Sequence, residues 1–462
     1  MRLYKESKRL KDTQVALRST HLHFGPNKKQ ELIRLIYETS KINNISPRGL
    51  LRNALSNNNF QNTKQAFANL KGYFLEKRFP TAYRDEENFN SYLPKISLNS
   101  RYSVLKRDRY SFYPKKIFIE KDAKDYTLAK SIVNKFPKAK IVNIGSFKDH
   151  TKSIDNKTAI NNYNERTKNL FLVKERYDFI KPCPCSKGVL RCGYYVMNLG
   201  FGCPYECSYC FLQGYTNVKG IVIPVNIDSF LAKLELFLRN HKGRLRIGTG
   251  EFTDSLALDN LTGFSEVLID FFSRQKNATF ELKTKSNNIK NILNLNHNKK
   301  TVISWSLNPQ PIVDSDEWQT NNLLERIDAA KECCDAGYLV GFHFDPIIYS
   351  TNWDSSYRDV IDELFKRISY KNIAWISLGT LRFAPKLKTI IEQRFPKSKI
   401  LDEELIIDFD KKLRYSQKQR IEIYKRMFYW IRKYSSDVLV YLCMEPKEVW
   451  EATLGRRVFC FS

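Results

Sequence analysis

Three cysteines in Gly202-Cys203-Pro204-Tyr205-Glu206-Cys207-Ser208-Tyr209-Cys210-Phe211 constrain this chain more than any other feature. Their C-x3-C-x2-C spacing follows the apolar run Tyr194 to Leu199, which reads as a strand, so the cysteines lie on a loop leaving its carboxyl end. Three thiolates on one loop can hold three corners of a [4Fe–4S] cluster, which more often takes four cysteine ligands. The fourth iron is then open to another ligand. Structural zinc is the bland alternative, but zinc pairs usually space as C-x2-C with a second pair downstream.

An open iron of this kind suits S-adenosylmethionine (SAM), whose reductive cleavage gives a 5′-deoxyadenosyl radical. The rest of the chain agrees. Strands are predicted at Tyr194–Leu199, Arg244–Gly248, Thr279–Leu282, Thr301–Leu307, Tyr338–Phe344 and Ala374–Leu378. Helical patterns lie between them, among them Ile227–Arg239, Leu261–Arg274, Leu323–Ala336 and Tyr357–Arg367. Strict alternation implies parallel strands, and six units imply an α/β fold with a full or partial barrel. Chemistry in such folds sits just after the strands. There the sequence places Gly248, Gly250 and Glu251, then Lys285, then Ser306 and Asn308, then His343 with Asp345 at the barrel's mouth. The glycines permit close backbone approach, Glu251 suits the ammonium of SAM, and Lys285 suits its carboxylate.

Composition bounds the setting. Lys and Arg number 77 against 49 Asp and Glu, a formal net charge of +28, which suits a polyanionic partner such as nucleic acid. Residues 1–110 hold 22 Lys and Arg against 9 Asp and Glu. They read as a basic, mainly helical extension, with apolar residues at helical spacing in Leu32-Ile33-Leu35-Ile36 and Ala66-Phe67-Leu70-Phe74-Leu75, and breaks at Gly25-Pro26, Ser46-Pro47 and Phe79-Pro80. Residues 111–170 read as a small α/β segment, with strands Lys116–Glu120 and Ala139–Ile144 around a helix Thr127–Phe136. Its end, Ser146 to Arg166, reads as a linker or exposed loop. Residues 171–462 form the barrel and a C-terminal segment. No apolar run reaches the roughly 18 residues a membrane span needs. The charged Met1–Leu10 stretch and the clustering of six of ten cysteines between 183 and 210 point to the cytoplasm rather than a secreted disulfide scaffold.

The cluster loop, continued through Phe211-Leu212-Gln213, resembles that of spore photoproduct lyase, a radical SAM DNA-repair family. Thr253-Asp254-Ser255, Lys283-Thr284-Lys285, Ser306-Leu307-Asn308, Asp335-Ala336-Gly337-Tyr338 and Gly341-Phe342 fall in the family's order and spacing, and the likeness runs from Tyr113 nearly to the C-terminus. The resemblance implies a partial (β/α)6 radical SAM barrel. Its cofactors would be a [4Fe–4S] cluster on Cys203, Cys207 and Cys210, and SAM. Tyr209 would pack on adenine, and Lys285 and Ser306 would hold SAM's polar groups. Partners would be nucleic acid, DNA before RNA, and an electron donor such as flavodoxin or ferredoxin, with no membrane.

Two departures stand out. The family has a cysteine in the segment matching Gly250–Thr253, which returns hydrogen to the substrate radical; here Glu251 and Phe252 stand there. It also has a tyrosine directly after the third cluster cysteine, where this chain has Phe211. Cys443, in the buried run Tyr441-Leu442-Cys443, is a candidate replacement donor. A second group, Cys183-Pro184-Cys185 and Cys192, is open to zinc, an auxiliary cluster or plain core packing, with Cys443 or Cys460 as a fourth ligand. Cys333-Cys334 reads as helix packing. The competing function class is a non-catalytic nucleic-acid binder with structural metal on its cysteines.

Overall fold

The computed structural model describes residues 2–56, 62–85, 96, 103–104, 112–153, 159–177, 179–215 and 218–455. Cys460 lies outside them. The chain divides into two compact units, Met1–Val104 with Leu381–Arg420, and Leu105–Thr380 with Ile421–Ser462.

In the first unit, helices Pro26–Asn43, Pro47–Ser56 and Pro80–Asp85 each begin on a proline that the sequence marks as a break. Proline's missing N–H costs nothing in a first helical turn, so the residues that interrupt one helix start the next. Leu32, Leu35, Ile36, Leu70 and Phe74 bury one core with Ile406 of the 381–420 segment. That segment, which the sequence assigns to the barrel region, is also tied in by Lys41–Asp402 at 2.8 Å and by Arg78 donating to the Glu403 carbonyl at 3.1 Å.

The second unit opens with β1 (Lys116–Glu120), β2 (Lys140–Ile144) and β3 (Asn169–Val173). Next come β4 (Ile180–Pro182), β5 (Tyr194–Met197), a short β6 (Glu206–Cys207) inside the cysteine loop, and β7 (Ile221–Pro224). β2, β1, β3 and β7 form one parallel sheet in that order. The βαβ segment expected from sequence is therefore half of a larger sheet. The stretch 146–166 is not a simple linker: its described residues fold as helices Phe147–Ser153 and Ala159–Glu165 and end at a fully buried Arg166.

The remaining strands are β8 (Leu245–Gly248), β9 (Ala278–Thr284), β10 (Thr301–Ser306), β11 (Glu317–Trp318), β12 (Leu339–Ile347) and β13 (Ile373–Thr380). β5, β8, β9, β10, β12 and β13 run parallel in chain order, the six barrel strands the sequence predicts. A seventh, Val440–Leu442, extends the sheet parallel to β13, and β4 closes the other edge antiparallel to β5. Connecting helices such as Leu323–Asp335, started by an Asn322/Glu325 capping box, cover the sheet. Among the described residues no helix is long and apolar enough to cross a membrane.

Candidate active site

The cysteine loop leaves β5 as expected and is fixed from three sides. Arg166 donates through Nε to the Cys203 carbonyl at 2.8 Å and through Nη1 to the Glu206 carboxylate at 2.7 Å, and Nη2 reaches the Tyr205 carbonyl. Gln213 Nε2 donates to the carbonyls of Cys207, Ser208 and Cys210 at 3.2, 2.7 and 3.2 Å. β6 pairs antiparallel with β11, and Ser208 Oγ donates to Asp316 at 2.6 Å. Each carbonyl so capped is a backbone acceptor that burial would otherwise leave without water. The loop is thus rigid before any ion binds. Nothing in its spacing names Arg166, which lies 37 residues upstream of Cys203.

Burial pushes the Cys203 thiol up to about 12, with Asp254 adding to it and Arg166 opposing. Cys207 is pushed up as well, first by burial, while Lys285 pulls the other way. Buried thiols that ionise reluctantly become good ligands when a metal supplies the countercharge. Among the described residues no three Cys, His, Asp or Glu side chains yet surround one point. The donor set nonetheless fits an iron–sulfur cluster: three thiols on one clamped loop, with Tyr163 donating to Cys210 Sγ at 3.6 Å.

Beside the loop the sequence motifs prove to be one another's partners. Asp254 accepts from the backbone N–H of Lys285 at 2.7 Å and from Thr284 Oγ1 at 2.6 Å, while Ser255 Oγ accepts from the N–H of Lys283 at 3.0 Å. The segment after β8 is thereby bolted to the end of β9. Gly250, at φ +101°, occupies a conformation that favours glycine. At Gly248 a Cβ would lie 2.0 Å from the Tyr194 hydroxyl and 2.6 Å from the Glu281 carbonyl, so packing inside the protein already requires that glycine.

Tyr209 has its hydroxyl bonded to Glu317 and the Lys285 ammonium 5.9 Å from its ring centre. Glu317 also accepts from Asn308 at 2.8 Å and from Arg326 at 2.6 Å. Burial raises the Glu317 carboxyl, but Arg326 and Lys285 outweigh it and hold it at about 2. Asn308 in turn accepts from Tyr357 at 2.6 Å. Ser306 ends β10, its carbonyl taking Arg326 Nη1 at 2.8 Å. Glu317 and Arg326 are not apparent as site residues in the sequence; they orient Tyr209 and Lys285 from behind.

Glu251 Oε2 accepts from Asn198 Nδ2 at 2.9 Å and pairs with Lys181 at 3.2 Å. The other amide atom, Asn198 Oδ1, is buried without a partner among the described residues, an acceptor suited to an ammonium. This orphaned oxygen next to a carboxylate fits the amino acid end of SAM. Phe252 stands in an aromatic group with Phe201 at 5.5 Å and Phe211 at 6.3 Å.

One residue sits elsewhere than the sequence suggests. β12 continues to Ile347, which leaves His343 in mid-strand rather than at the mouth; it is buried 2.8 Å from Glu281 and 2.6 Å from Ser377. Cys443 directly follows the edge strand Val440–Leu442, in the run that the sequence reads as a last strand and turn, and Cys183 and Tyr441 are among the groups it acts on.

Comparison with known proteins agrees with this geometry. The family profile described as "Spore photoproduct lyase" matches residues 112–436. The spore photoproduct lyase of Geobacillus sp. (strain Y412MC61) is 25% identical over 299 residues, 63% of this chain and 86% of that protein. The Bacillus subtilis (strain 168) protein of the same name is 25% identical over 300 residues, again 63% and 86%. A solved spore photoproduct lyase variant matches with TM-score 0.62 at 25% identity, covering 72% of this chain and 99% of that one. The lyase complexed with dinucleoside spore photoproduct gives TM-score 0.62 at 24% identity.

Proposed function

The chain belongs to the spore photoproduct lyase family, and from that membership we propose that it repairs a DNA lesion without the family's thiol-based hydrogen return. It is a radical SAM enzyme with a [4Fe–4S] cluster and SAM as cofactors, and the reading as a non-catalytic binder with structural metal is not favoured. Bound together, these cofactors supply a carbon-centred radical strong enough to take hydrogen from an unactivated C–H bond.

The chain's own residues hold and orient. Cys203, Cys207 and Cys210 take the cluster on the loop that Arg166 and Gln213 fix. Glu251 and the Asn198 amide oxygen receive the ammonium of SAM, and Lys285 its carboxylate. The Tyr209 ring supports adenine, oriented by Glu317, while Ser306 and Asn308 offer polar groups at the end of β10. Gly248 and Gly250 keep the backbone after β8 free of side chains. Electrons come from a flavodoxin- or ferredoxin-like donor, and a reduced cluster of this kind belongs in the cytoplasm.

The observation that carries the proposal is the segment Gly250-Glu251-Phe252-Thr253, which has no thiol and is locked by Asp254 and Ser255 to the end of β9. Phe252 packs in an aromatic group and Glu251 in an ion pair, and neither a phenyl ring nor a carboxylate has a weak S–H bond to give up. The test is to incubate reduced enzyme and SAM with an oligonucleotide carrying spore photoproduct. Slow or absent reversal to thymines, beside brisk 5′-deoxyadenosine release, supports a different lesion or a different end for the substrate radical. Efficient reversal would overturn it.

A further inference from the structure

The eight-stranded sheet has β4 at one edge and Val440–Leu442 at the other. The hairpin between β4 and β5 bridges them, with the N–H of Leu190 donating to the Glu445 carbonyl at 3.1 Å. Beneath the hairpin, Arg246 of β8 donates to the Tyr441 hydroxyl at 3.0 Å across the interior. Three cysteines stand on this hairpin: Cys183 directly after β4, Cys185 in the turn and Cys192 two residues before β5. Cys443 directly follows Leu442 on the opposite edge.

The four are half-buried, and none is in a disulfide. The N–H of Cys183 donates to the Tyr194 carbonyl at 2.8 Å, which sets Cys183 against the start of β5 and so near Cys192. The Cys183 and Cys185 thiols hydrogen-bond to each other. Cys183 also senses Cys443 and Cys192, and Cys192 senses Cys185. Three thiols on the hairpin and one on the strand end that it reaches therefore share one neighbourhood, although no three of them yet surround one point, and none belongs to the cluster loop.

We propose that Cys183, Cys185, Cys192 and Cys443 bind one zinc ion that staples the two edges of the sheet. A Zn–S bond of about 2.3 Å in a tetrahedral site puts ligand sulfurs about 3.8 Å apart, a separation that neighbouring thiols can reach. An iron–sulfur cubane places each cysteine on a separate iron and spreads the sulfurs farther. A disulfide would join only two of the four. Four thiolates on Zn2+ carry a net charge of −2; the same hairpin carries the exposed cations Lys187 and Arg191, while the nearby Arg246 is already paired with Glu281 at 2.8 Å.

The test is metal analysis of full-length protein purified without oxygen. About one zinc per chain is expected besides the cluster iron. A Cys183→Ser/Cys185→Ser variant should lose the zinc and keep its iron, whereas Cys203→Ala/Cys207→Ala/Cys210→Ala should lose iron and keep zinc. Should the serine variant fail to fold, Co2+ loaded into the wild-type protein decides: a tetrahedral sulfur site gives intense thiolate-to-cobalt charge-transfer and d–d bands, displaced by added Zn2+. Background zinc in the wild type, zinc retained by a folded serine variant, iron in excess of one cluster, or a Cys183–Cys185 disulfide in anaerobic protein would each overturn the proposal.

Discussion

Arg166 Nε donates to the Cys203 carbonyl at 2.8 Å, so a residue outside the cysteine motif holds in place the backbone of the proposed first cluster ligand. The same guanidinium faces Glu206 at 2.7 Å, with both side chains buried. Replacing Arg166 by Met leaves a buried carboxylate and three carbonyls uncapped and should cost about 3–5 kcal/mol. Iron content should fall with it. Adding Glu206→Gln should recover part of the stability but not the iron, because the carbonyl of Cys203 stays uncapped. Thermal unfolding and iron analysis of the two variants check this.

Acidification should remove stabilisation in two steps, at His343 and then at Glu317, while the carboxyls of Glu392 and Glu403, raised by burial to about 7, oppose the upper step. Burial and the charge on Lys283 hold His343 down at about 4, although Glu281 pulls it up. Its folded value lies below the ordinary 6.5, so the unfolded chain takes the proton more readily. The contribution is therefore present above pH 6.5 and lost between pH 6.5 and 4, at up to about 1.4 kcal/mol per pH unit. Glu317, held at about 2 against the ordinary 4.5, repeats the loss between pH 4.5 and 2. A His343→Gln variant should flatten the upper step only. Equal slopes for variant and wild type would show that His343 is not the group responsible.

The SAM end of the site can be probed through Glu251 and Asn198, joined at 2.9 Å. Glu251→Gln removes a charge-assisted hydrogen bond worth about 1.5–3 kcal/mol, so SAM affinity should weaken roughly tenfold or more. Asn198→Ala should weaken it less. Equilibrium dialysis with the reconstituted enzyme reads both. Unchanged binding in Glu251→Gln would assign that carboxylate to Lys181 alone.

The six barrel strands and the cysteine loop are legible in the sequence because hydrophobic period and ligand spacing are local signals. The reach from Cys203 to Cys210 is written in the chain; the clamp by Arg166 and the Glu317–Arg326 pair behind Tyr209 are not, since they arise only when distant segments pack. His343 shows a different limit. Ending β12 at Phe344 rather than Ile347 puts an imidazole at the mouth that in fact lies in the interior. Lys388, which ties residues 381–420 to the N-terminal helices through Glu38, likewise carries no local signature of its long-range pairing.

Basic residues on the first helix, Arg2–Arg18, offer a test of the nucleic-acid surface. Lys5, Lys8, Lys11 and Arg18 are exposed. Changing all four to Gln should weaken DNA binding at low salt. It should also lower the slope of log affinity against log salt by about 0.9 for each phosphate that the helix no longer neutralises. An unchanged slope would assign this helix to a protein partner. Deleting the whole extension is a poorer test, because Ile406 would lose its core.

SAM cleavage should depend on the loop of Cys203, Cys207 and Cys210. The most direct measurement is 5′-deoxyadenosine release from anaerobically reconstituted protein given SAM and reductant. The wild type should release it, and Cys203→Ala/Cys207→Ala/Cys210→Ala should release none while remaining folded. Equal release from that variant, or none from a wild-type protein carrying its full complement of iron, would contradict the account.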